Sequence, residues 1–444
     1  MGLDEVRKTF SGTIITPEDA GYDEASTVMI RKGSPAVVFA CASPEDVAAA
    51  LSYAREAKLV VSVRSGGHSN AGLSTNDGGV IIDVSNMHAV EVLDEQAGLV
   101  RIGAGAKWVD AAKALSEHGL AITSGDTRSV GVGGLTLGGG IGWMVRKYGL
   151  TIDSMHSAEI VTADGEILTV SAESHPDLFW AVRGGGGNFG VVTAFEFTAH
   201  HVSDVFFGKI MYALSDAEAQ LKAWRDYVRT CSDDLTTAAF ITPAMGPEAP
   251  SMFIVVACWA GDKATADEVL APLRKLPGTM VGDTIAQMPY YEVLEGAMVP
   301  PNMRIEVNNA FFDELTDEVI GKIAAANRDH GSMFQIRHLG GAMNRVAADA
   351  TAFGHRDSEV MVLAPVILPA STDEPTIQAA LAPWYDIAKD SKGAYVNFFS
   401  RNEDRTVEAA YLPETRQRLA KIKATYDPQN IFDQNLNIKP TNKE

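Results

Sequence analysis

Short strand patterns recur along residues 1–202. A run rich in β-branched residues, Leu59 to Val63, predicts a strand that ends before a pair of glycines. Residues 160–162 and 167–170 flank Asp164-Gly165, and this pattern predicts a β-hairpin because Asp-Gly favours the tight turn between antiparallel strands. Further strands are predicted at 80–84 and 100–102.

Two helices are predicted in the same part of the chain. Residues 45–58 read as a helix, with Ser43 as the expected N-cap and Pro44 at the first helical position. Residues 107–117 have apolar positions at helical spacing, and Gly119 is suited to end that helix.

The pattern changes after about residue 202. The glycine clusters stop, and amphipathic helical stretches alternate with strand-like runs, which is typical of an antiparallel sheet with helices. The predicted helices are 216–228, 263–273, 316–327 and 413–423, and the predicted strands include 252–256 and 304–310. The Asn-rich stretch 430–438 has spaced apolar residues, so we expect it to be docked on the protein.

Composition excludes several classes of function. The 444 residues are enough for two domains, and 46% hydrophobic with 21% charged residues is typical of a soluble globular protein. The net charge of −20 repels nucleic acid and anionic membranes. Because the chain has neither a long apolar run nor a secretory-signal pattern, we expect a cytoplasmic protein without nucleic-acid or membrane partners.

No pattern indicates a metal site. Cys41, Cys231 and Cys258 have no CxxC spacing, and the ten histidines have no metal-ligand spacing. The HExxH and P-loop motifs are missing from the sequence. Cys41 and Cys258 lie in apolar runs and are predicted to be core residues.

The first candidate motif is Arg64-Ser65-Gly66-Gly67-His68-Ser69, directly after a predicted strand. Glycines allow backbone N–H groups to converge on phosphate oxygens, and Arg64 could add charge. Taken alone, the pattern favours a tight turn with an incidental histidine.

The second candidate is the segment 131–142, in which seven of twelve residues are glycine. Such a density suggests close approach of the backbone to a large flat or anionic ligand. A flexible loop is the alternative, but Leu135, Leu137 and Ile141 would then be apolar residues placed in solvent.

A literal GxGxxG, Gly185-x-Gly187-x-x-Gly190, is the third candidate. A dinucleotide-binding fingerprint must open a helix, whereas residues 191–197 predict a strand. We therefore expect a turn whose exit strand passes a ligand.

Five segments together make the chain similar to the berberine bridge enzyme-like branch of the vanillyl-alcohol oxidase/p-cresol methylhydroxylase flavoprotein family. They are VRSGGHS at 63–69, SVGVGGLTLGGGIGW at 129–143, KYGLTID at 147–153, LFWAVRGGGGNFGVV at 178–192 and YDPQNIFDQNLNIKP at 426–440. The resemblance implies an α+β fold. Residues 1–202 would form a two-subdomain FAD-binding module, residues 203–394 an antiparallel-sheet substrate domain flanked by helices, and residues 395–444 a segment that returns to the flavin.

The resemblance also implies FAD held by one covalent link, from His68 to the 8-methyl carbon of the flavin. A neutral imidazole nitrogen is a competent nucleophile, and the bond would make the flavin a better oxidant. The residues implied to bind FAD are Arg64, Ser65, Gly66, Gly67, His68, Ser69, Thr127, Val130, Gly131, Gly133, Gly134, Thr136, Gly138, Gly139, Gly140, Ile141, Gly142, Val192, Asn397, Asn435 and Asn437.

The chain departs from the family pattern at several positions. Members with two covalent links have a cysteine where this chain has Thr127, and a hydroxyl is too poor a nucleophile to replace a thiolate. Many plant members have a tyrosine base where this chain has Phe398. Because Asn70 and Ile141 also replace plant-type tyrosines, plant-type polyphenol and alkaloid substrates are disfavoured.

The expected reaction is hydride transfer from a C–H of a small alcohol, sugar or amine to flavin N5, with molecular oxygen then reduced to hydrogen peroxide. In the family, a valine at the position of Val130 leaves space for oxygen, which favours an oxidase; the alternative is a packed core valine. Two other functions stay open: a dehydrogenase that uses another acceptor, and a flavoprotein that sequesters a metabolite.

Tyr395 is the candidate base for an alcohol substrate, with a structural tyrosine as the alternative, whereas a neutral amine needs no strong base. Two rows of residues at strand spacing, each on one side of its strand, are candidates for the substrate cavity. They are Arg304, Glu306 and Asn308, and Gln335 and Arg337. A solvated sheet face is an equally good interpretation of either row.

Overall fold

The computed structural model describes residues 2–202, 204–244, 246, 249–296, 302–400 and 404–441. Three sheets, of four, five and eight strands, carry the fold of these residues.

The four-stranded sheet begins the fold. Its strands, in spatial order, are Thr13–Ile15, Val37–Ala40, Val80–Asp83 and Val61–Arg64. The last three are parallel, and the first pairs antiparallel to its neighbour. The helix Pro44–Ala57 begins at the predicted N-cap, where the Ser43 side chain accepts from the Asp46 N–H (3.3 Å). The parallel strands end together at Arg64 and Asp83, so the first glycine motif starts at this edge.

The five-stranded sheet is antiparallel throughout. Its strands, in spatial order, are Ile167–Ser171, Met155–Val161, Val191–Thr198, Leu99–Gly103 and Val90–Asp94. The first two form the predicted hairpin, whose turn contains Gly165 at φ +90°. Because Val191–Thr198 is a strand, the GxGxxG that precedes it does not open a helix, as the sequence predicts.

The eight-stranded sheet is also antiparallel, and it separates two hydrophobic cores. Along its path lie Met280–Asp283, Asp204–Ala213, Met252–Trp259, Leu235–Thr242, Phe334–His338, Val360–Pro369 and Met303–Phe312, while Ala286–Pro289 pairs with Asp204–Ala213. One face packs against the helices Ala217–Val228, Asp317–His330 and Glu374–Ala388. Residues of the other face, including Phe311 and Leu363, belong to the core shared with the first two sheets.

The remaining helices and strands lie between and around these layers. The other α-helices are Leu3–Val6, Tyr22–Ser26, Trp108–Ser116, Val132–Leu137, Val145–Tyr148, Pro176–Val182, Ala266–Leu270, Ala342–Arg345, Asp404–Ala410 and Pro413–Tyr426. The 3₁₀ helices are Thr151–Ser154, Lys263–Thr265, Pro272–Lys275, Tyr290–Val293 and Val396–Phe398. Two-residue strands pair Thr27–Val28 with Arg31–Lys32, and Leu120–Ala121 with His200–His201. Within the described ranges, no helix has the length and apolar character needed to span a bilayer.

The predicted α+β class and most predicted elements are confirmed, with two differences. The helix expected over 263–273 is divided into the 3₁₀ helix Lys263–Thr265, the short α-helix Ala266–Leu270 and the 3₁₀ helix Pro272–Lys275. Pro272 contributes to this division because it has no N–H to continue a helical ladder. The glycine-rich segment contains the helix Val132–Leu137, which its glycine content hides in the sequence. Cys41 and Cys258 are buried, as predicted.

Candidate active site

The candidate site is a cavity of about 430 Å³, lined by residues from the early, middle and late parts of the chain. The first two glycine motifs form much of its wall, and Ile305, Val307 and residues 395–399 and 434–436 contribute other parts. The sequence-predicted residues that line it are Ser65, Gly66, Gly67, His68, Ser69, Thr127, Val130, Gly131, Gly133, Gly134, Ile141, Val192, Tyr395, Asn397 and Asn435.

The first glycine motif exposes its backbone to this cavity. It follows the strand Val61–Arg64 without a helix or strand of its own. Across the described residues, no protein acceptor is found for the backbone N–H groups of residues 66–71. Gly67 has φ +69°, a conformation that glycine adopts without strain. The turn therefore presents a row of unused hydrogen-bond donors.

The second motif lies against the first. Gly66 and Gly131 approach so closely that a Cβ on either would clash with the backbone of the other. From this contact the helix Val132–Leu137 starts, and a Cβ added at Gly134 would meet no protein atom within 4 Å. Ser65 anchors the first motif next to this contact, since its hydroxyl donates to the carbonyl of Ala104 (2.7 Å).

Three of the predicted site residues, Arg64, Thr136 and Asn437, do not line the cavity. Arg64 was expected to add charge to the cradle. Its guanidinium instead donates to Asp83 (2.6 and 3.0 Å) and to the Ala25 carbonyl (2.5 Å), because the parallel strands place Arg64 and Asp83 side by side. Thr136 is fully buried, and Asn437 also lies away from the cavity; neither the Thr136 hydroxyl nor the Asn437 side-chain oxygen has a partner among the described residues.

The glycines from 138 to 142 also lie outside the cavity lining. A Cβ at Gly138 would clash with the Asn397 amide, one at Gly140 with Thr151, and one at Gly142 with the backbone of Gly125. At Gly139 the obstacle would be the Phe353 ring, at 2.9 Å. These glycines are required by protein packing, which corrects the interpretation that the whole segment approaches a ligand.

His68 is half-buried at the cavity wall. Burial lowers the pKa of its imidazole, and the charge of Lys107 lowers it further. The ring is therefore neutral at neutral pH, and its nitrogens have no hydrogen-bond partner in the described part of the chain. A neutral, unpartnered imidazole is able to act as a nucleophile.

Tyr395 is 2% exposed, and its hydroxyl oxygen accepts two hydrogen bonds. The donors are the Gly140 N–H (2.9 Å) and the Asn397 side-chain amide (2.9 Å). Burial raises the pKa of Tyr395 to about 12, although the donors lower it in part. The residue is thus a neutral phenol, and its own proton remains available to a ligand.

Residues 423–438 are held on the glycine-rich core by a buried ion pair that the sequence analysis missed. Lys423 donates to Asp427 (2.5 Å) and to the carbonyls of Asn188 (2.7 Å) and Phe432 (3.1 Å), and both charged side chains are 0% exposed. Asp427 accepts from the Ile431 and Phe432 N–H groups. The expectation that this stretch is docked is confirmed; the one available signal was the i, i+4 spacing of Lys423 and Asp427.

The two predicted rows of the substrate domain face opposite sides. Arg304, Glu306 and Asn308 point away from the cavity, since Ile305 and Val307 of the same strand line it. Glu306 is 3% exposed and pairs with Arg304. Arg337 reaches the cavity side, where its guanidinium pairs with Asp126, a lining residue.

The residues present fit flavin adenine dinucleotide. The unused N–H groups of residues 66–71 suit an anionic diphosphate, and the open face of Gly134 leaves room beside the backbone. The wall between them, including Val130, Val192 and Ile141, is apolar and suits a flat ring system.

Comparison with known proteins agrees with this fit. Residues 35–171 match a family described as FAD binding domain, and residues 394–439 match one described as berberine and berberine like. The (R)-6-hydroxynicotine oxidase of Paenarthrobacter nicotinovorans is 32% identical over an alignment that covers 97% of each chain. The glucooligosaccharide oxidase of Sarocladium strictum is 27% identical, with 91% of this chain and 87% of that one covered.

A solved structure shares the whole fold. The crystal structure of 6-hydroxy-D-nicotine oxidase from Arthrobacter nicotinovorans matches with a TM-score of 0.88 and 30% sequence identity, and the match covers 98% of this chain and 99% of that one. The three-sheet architecture is thus the vanillyl-alcohol oxidase arrangement of an FAD-binding module beside an antiparallel-sheet domain. The chain belongs to the berberine bridge enzyme-like branch of the vanillyl-alcohol oxidase flavoprotein family and is an FAD-dependent oxidoreductase.

Proposed function

We propose that the protein is an oxidase with FAD bonded to His68, acting on a small organic molecule. Residues 1–202 together with 395–444 would hold the cofactor, and residues 203–394 would supply the other wall of the substrate site. When bound, FAD supplies the chemistry by accepting a hydride from the substrate at N5 and returning electrons to oxygen, which gives hydrogen peroxide. The observation that carries the proposal is the shared cavity of His68, the unused N–H groups and Tyr395.

His68 is the attachment residue in this proposal. Its neutral imidazole lies at the cavity wall, beside the turn that would hold the anionic part of the cofactor. Thr127 lines the same cavity and offers only a hydroxyl, so a single link is proposed.

Tyr395 contacts the substrate in this proposal, as a hydrogen-bond donor. A general base needs a pKa near the working pH, and the pKa of Tyr395 is about 12. Phe398, where many plant members have a tyrosine base, lies next to it with a ring-centre separation of 5.4 Å and cannot take a proton. This arrangement favours a substrate that gives up hydride without prior deprotonation by a strong base.

Val130 supports oxygen as the electron acceptor. It is partly exposed at the cavity wall, as expected where oxygen must approach, although the same position is open to other acceptors. A dehydrogenase is therefore the second candidate, and the two differ in how the reduced protein behaves in air.

The covalent link is tested by acid precipitation of the purified protein. We expect the yellow colour to remain in the pellet, and the variant His68→Ala to release it. His88→Ala is the matched control, because His88 is an exposed histidine outside the cavity lining. Colour lost from the unmodified protein, or retained by His68→Ala, would contradict the link.

The acceptor is tested by mixing the protein anaerobically with a panel of alcohols, sugars and cyclic amines. An oxidase bleaches with its substrate and forms peroxide when air enters. Reduced flavin that is stable in air indicates a dehydrogenase. Binding of ligands without any bleaching indicates a sequestering protein, and contradicts the proposed function.

A further inference from the structure

The substrate side of the cavity is strongly apolar. The eight-stranded sheet contributes Ile305 and Val307, and the segment after Tyr395 contributes Val396, Phe398 and Phe399. The polar residue of that segment, Asn397, uses its amide N–H groups within the protein, on the Tyr395 hydroxyl and the Leu135 carbonyl. Recognition of a polyhydroxylated molecule needs many hydrogen-bonding side chains, whereas this wall offers hydrocarbon and aromatic surface. It therefore suits a compact, mostly apolar substrate.

One carboxylate interrupts this apolar surface. Among the described residues that line the cavity, Asp126 is the only Asp or Glu, and no Lys or Arg joins it. One carboxylate oxygen accepts from the Thr127 hydroxyl (2.9 Å), and the other pairs with Arg337. Because a carboxylate has about four acceptor positions, these two partners leave capacity for a ligand.

Arg337 orients this carboxylate from behind. The Arg337 side chain is 10% exposed, compared with 27% for Asp126, so the carboxylate is the more accessible member of the pair. The guanidinium carbon lies 5.3 Å from the centre of the Phe398 ring. Gln335, with its amide oxygen facing the guanidinium, accepts from Arg337 Nε (2.9 Å) and Nη2 (3.1 Å).

The pair is joined to the reacting side of the site. Phe398 touches Arg337 on one side and packs against Tyr395 on the other, with a ring-centre distance of 5.4 Å. A molecule held at Asp126 would therefore extend along Phe398 toward Tyr395. The net charge of −20 adds a long-range attraction for cations.

We propose that Asp126, positioned by Arg337, determines specificity by binding a protonated amine on a compact, mostly apolar substrate, away from the C–H that is oxidised. This inference rests on the proposed function, because it assigns a substrate class to the same cavity. Arg337 is a positioning residue, and Asp126 is the residue that touches the substrate.

The test compares matched ligands by calorimetry on the flavin-containing protein, with the flavin reduced beforehand so that no turnover consumes the ligand. The probes are 4-phenylpiperidine, its N-acetyl derivative and 4-phenyltetrahydropyran, which share a skeleton, and cellobiose as the polyhydroxylated probe. We expect the amine to bind more tightly than the other three, by roughly 10- to 100-fold, since a charge-assisted hydrogen bond is lost in each of them.

Variants then locate the effect. Asp126→Asn should weaken binding of the amine by roughly 10- to 100-fold and leave binding of the tetrahydropyran unchanged, because the side chain keeps its shape but loses its negative charge and with it the ion pair to Arg337. Glu295→Gln is the matched control: Glu295 is an exposed acid whose backbone bridges to Thr127, but its side chain pairs with Lys209 outside the cavity lining. It should leave both affinities unchanged.

The result that overturns the inference is an unmodified protein without preference for the amine, or equal weakening by Asp126→Asn and Glu295→Gln. The ligand series on the unmodified protein gives this answer even if Asp126→Asn does not fold. Retention of colour on acid precipitation is measured before any ligand is added, so a failure of the proposed function, flavin released by acid, is distinct from a failure of this inference.

Discussion

The glycine-rich segment 131–142 has two halves that use the same residue for different reasons. Gly131, Gly133 and Gly134 line the cavity, and the face of Gly134 is open. The glycines from 138 to 142 lie outside the lining, and a Cβ at Gly140 would clash with Thr151. Glycine density therefore marks close approach of the backbone, but it does not tell whether a ligand or the protein itself approaches.

The largest effect on stability is expected at the buried ion pair of Lys423 and Asp427, which lies outside the cavity but holds residues 434–436 of its wall. Lys423→Met leaves Asp427 buried and unpaired, which should lower the free energy of unfolding by about 3–5 kcal/mol. The measurement is urea unfolding of the flavin-containing protein. The double variant Lys423→Met, Asp427→Leu is the control and should recover part of the loss. Equal stability of Lys423→Met and the unmodified protein would show that the pair does not hold residues 423–438.

A smaller loss is expected in the packed half of the glycine segment. Gly140→Ala places a methyl group against Thr151 at φ +83°. Strain at this φ and overpacking together should cost about 2–4 kcal/mol of stability. Thermal unfolding measures the loss, and the second substitution Thr151→Ser in the same protein should not restore it, because the hydroxyl stays in place. A Gly140→Ala variant as stable as the unmodified protein would contradict the conclusion that the glycines from 138 to 142 are required by packing.

In the half of the segment that lines the cavity, substitution of a glycine should lower flavin binding and leave stability intact. Gly134→Ala lies in a helix with no protein atom near the added Cβ, so the fold should be unchanged or gain up to about 1 kcal/mol. Flavin content per protein, read from the absorbance spectrum, should fall because the methyl group takes space in the cradle. Full flavin content together with unchanged stability would mean that this glycine does not face the cofactor.

The smallest effect is expected at Tyr395, which contacts the packed half of the segment and also lines the cavity. The Tyr395 hydroxyl accepts from the Gly140 N–H and faces the cavity, so Tyr395→Phe should slow anaerobic flavin reduction by about tenfold or less, the cost of one neutral hydrogen bond. Stopped-flow absorbance measures the rate. Loss of a general base would cost about 100-fold or more and would restore that role for Tyr395. Because its pKa is about 12, the rate should show no Tyr395 titration between pH 6 and 9.

Local patterns predicted most of the fold. The helix Pro44–Ala57 and the hairpin around Gly165 follow from capping and turn chemistry, which involve neighbouring residues only. Contacts between residues distant in the sequence could not be predicted. The sequence shows Arg64 as a charge without a partner, whereas in the fold the parallel strands place it beside Asp83.

The sequence also did not predict which side of a strand faces the site. In the strand Met303–Phe312 both sides are largely covered, so the polar row Arg304, Glu306 and Asn308 was an attractive candidate. The apolar row, Ile305 and Val307, is the one that lines the cavity. The polarity of a row of side chains therefore does not tell which side of this strand faces the site.

The buried ion pair of Lys423 and Asp427, which holds residues 423–438 on the protein, has a consequence for biosynthesis. Gln434, Asn435 and Leu436 belong to the cavity wall, which also contains residues as early as Met29. During translation the cavity stays incomplete until residue 436 has left the ribosome, so the complete FAD site forms only after almost the whole chain has been made. Incorporation of FAD is then a late step, and a shortage of riboflavin in the cell would lead to a nearly finished apoprotein rather than to a stalled fragment.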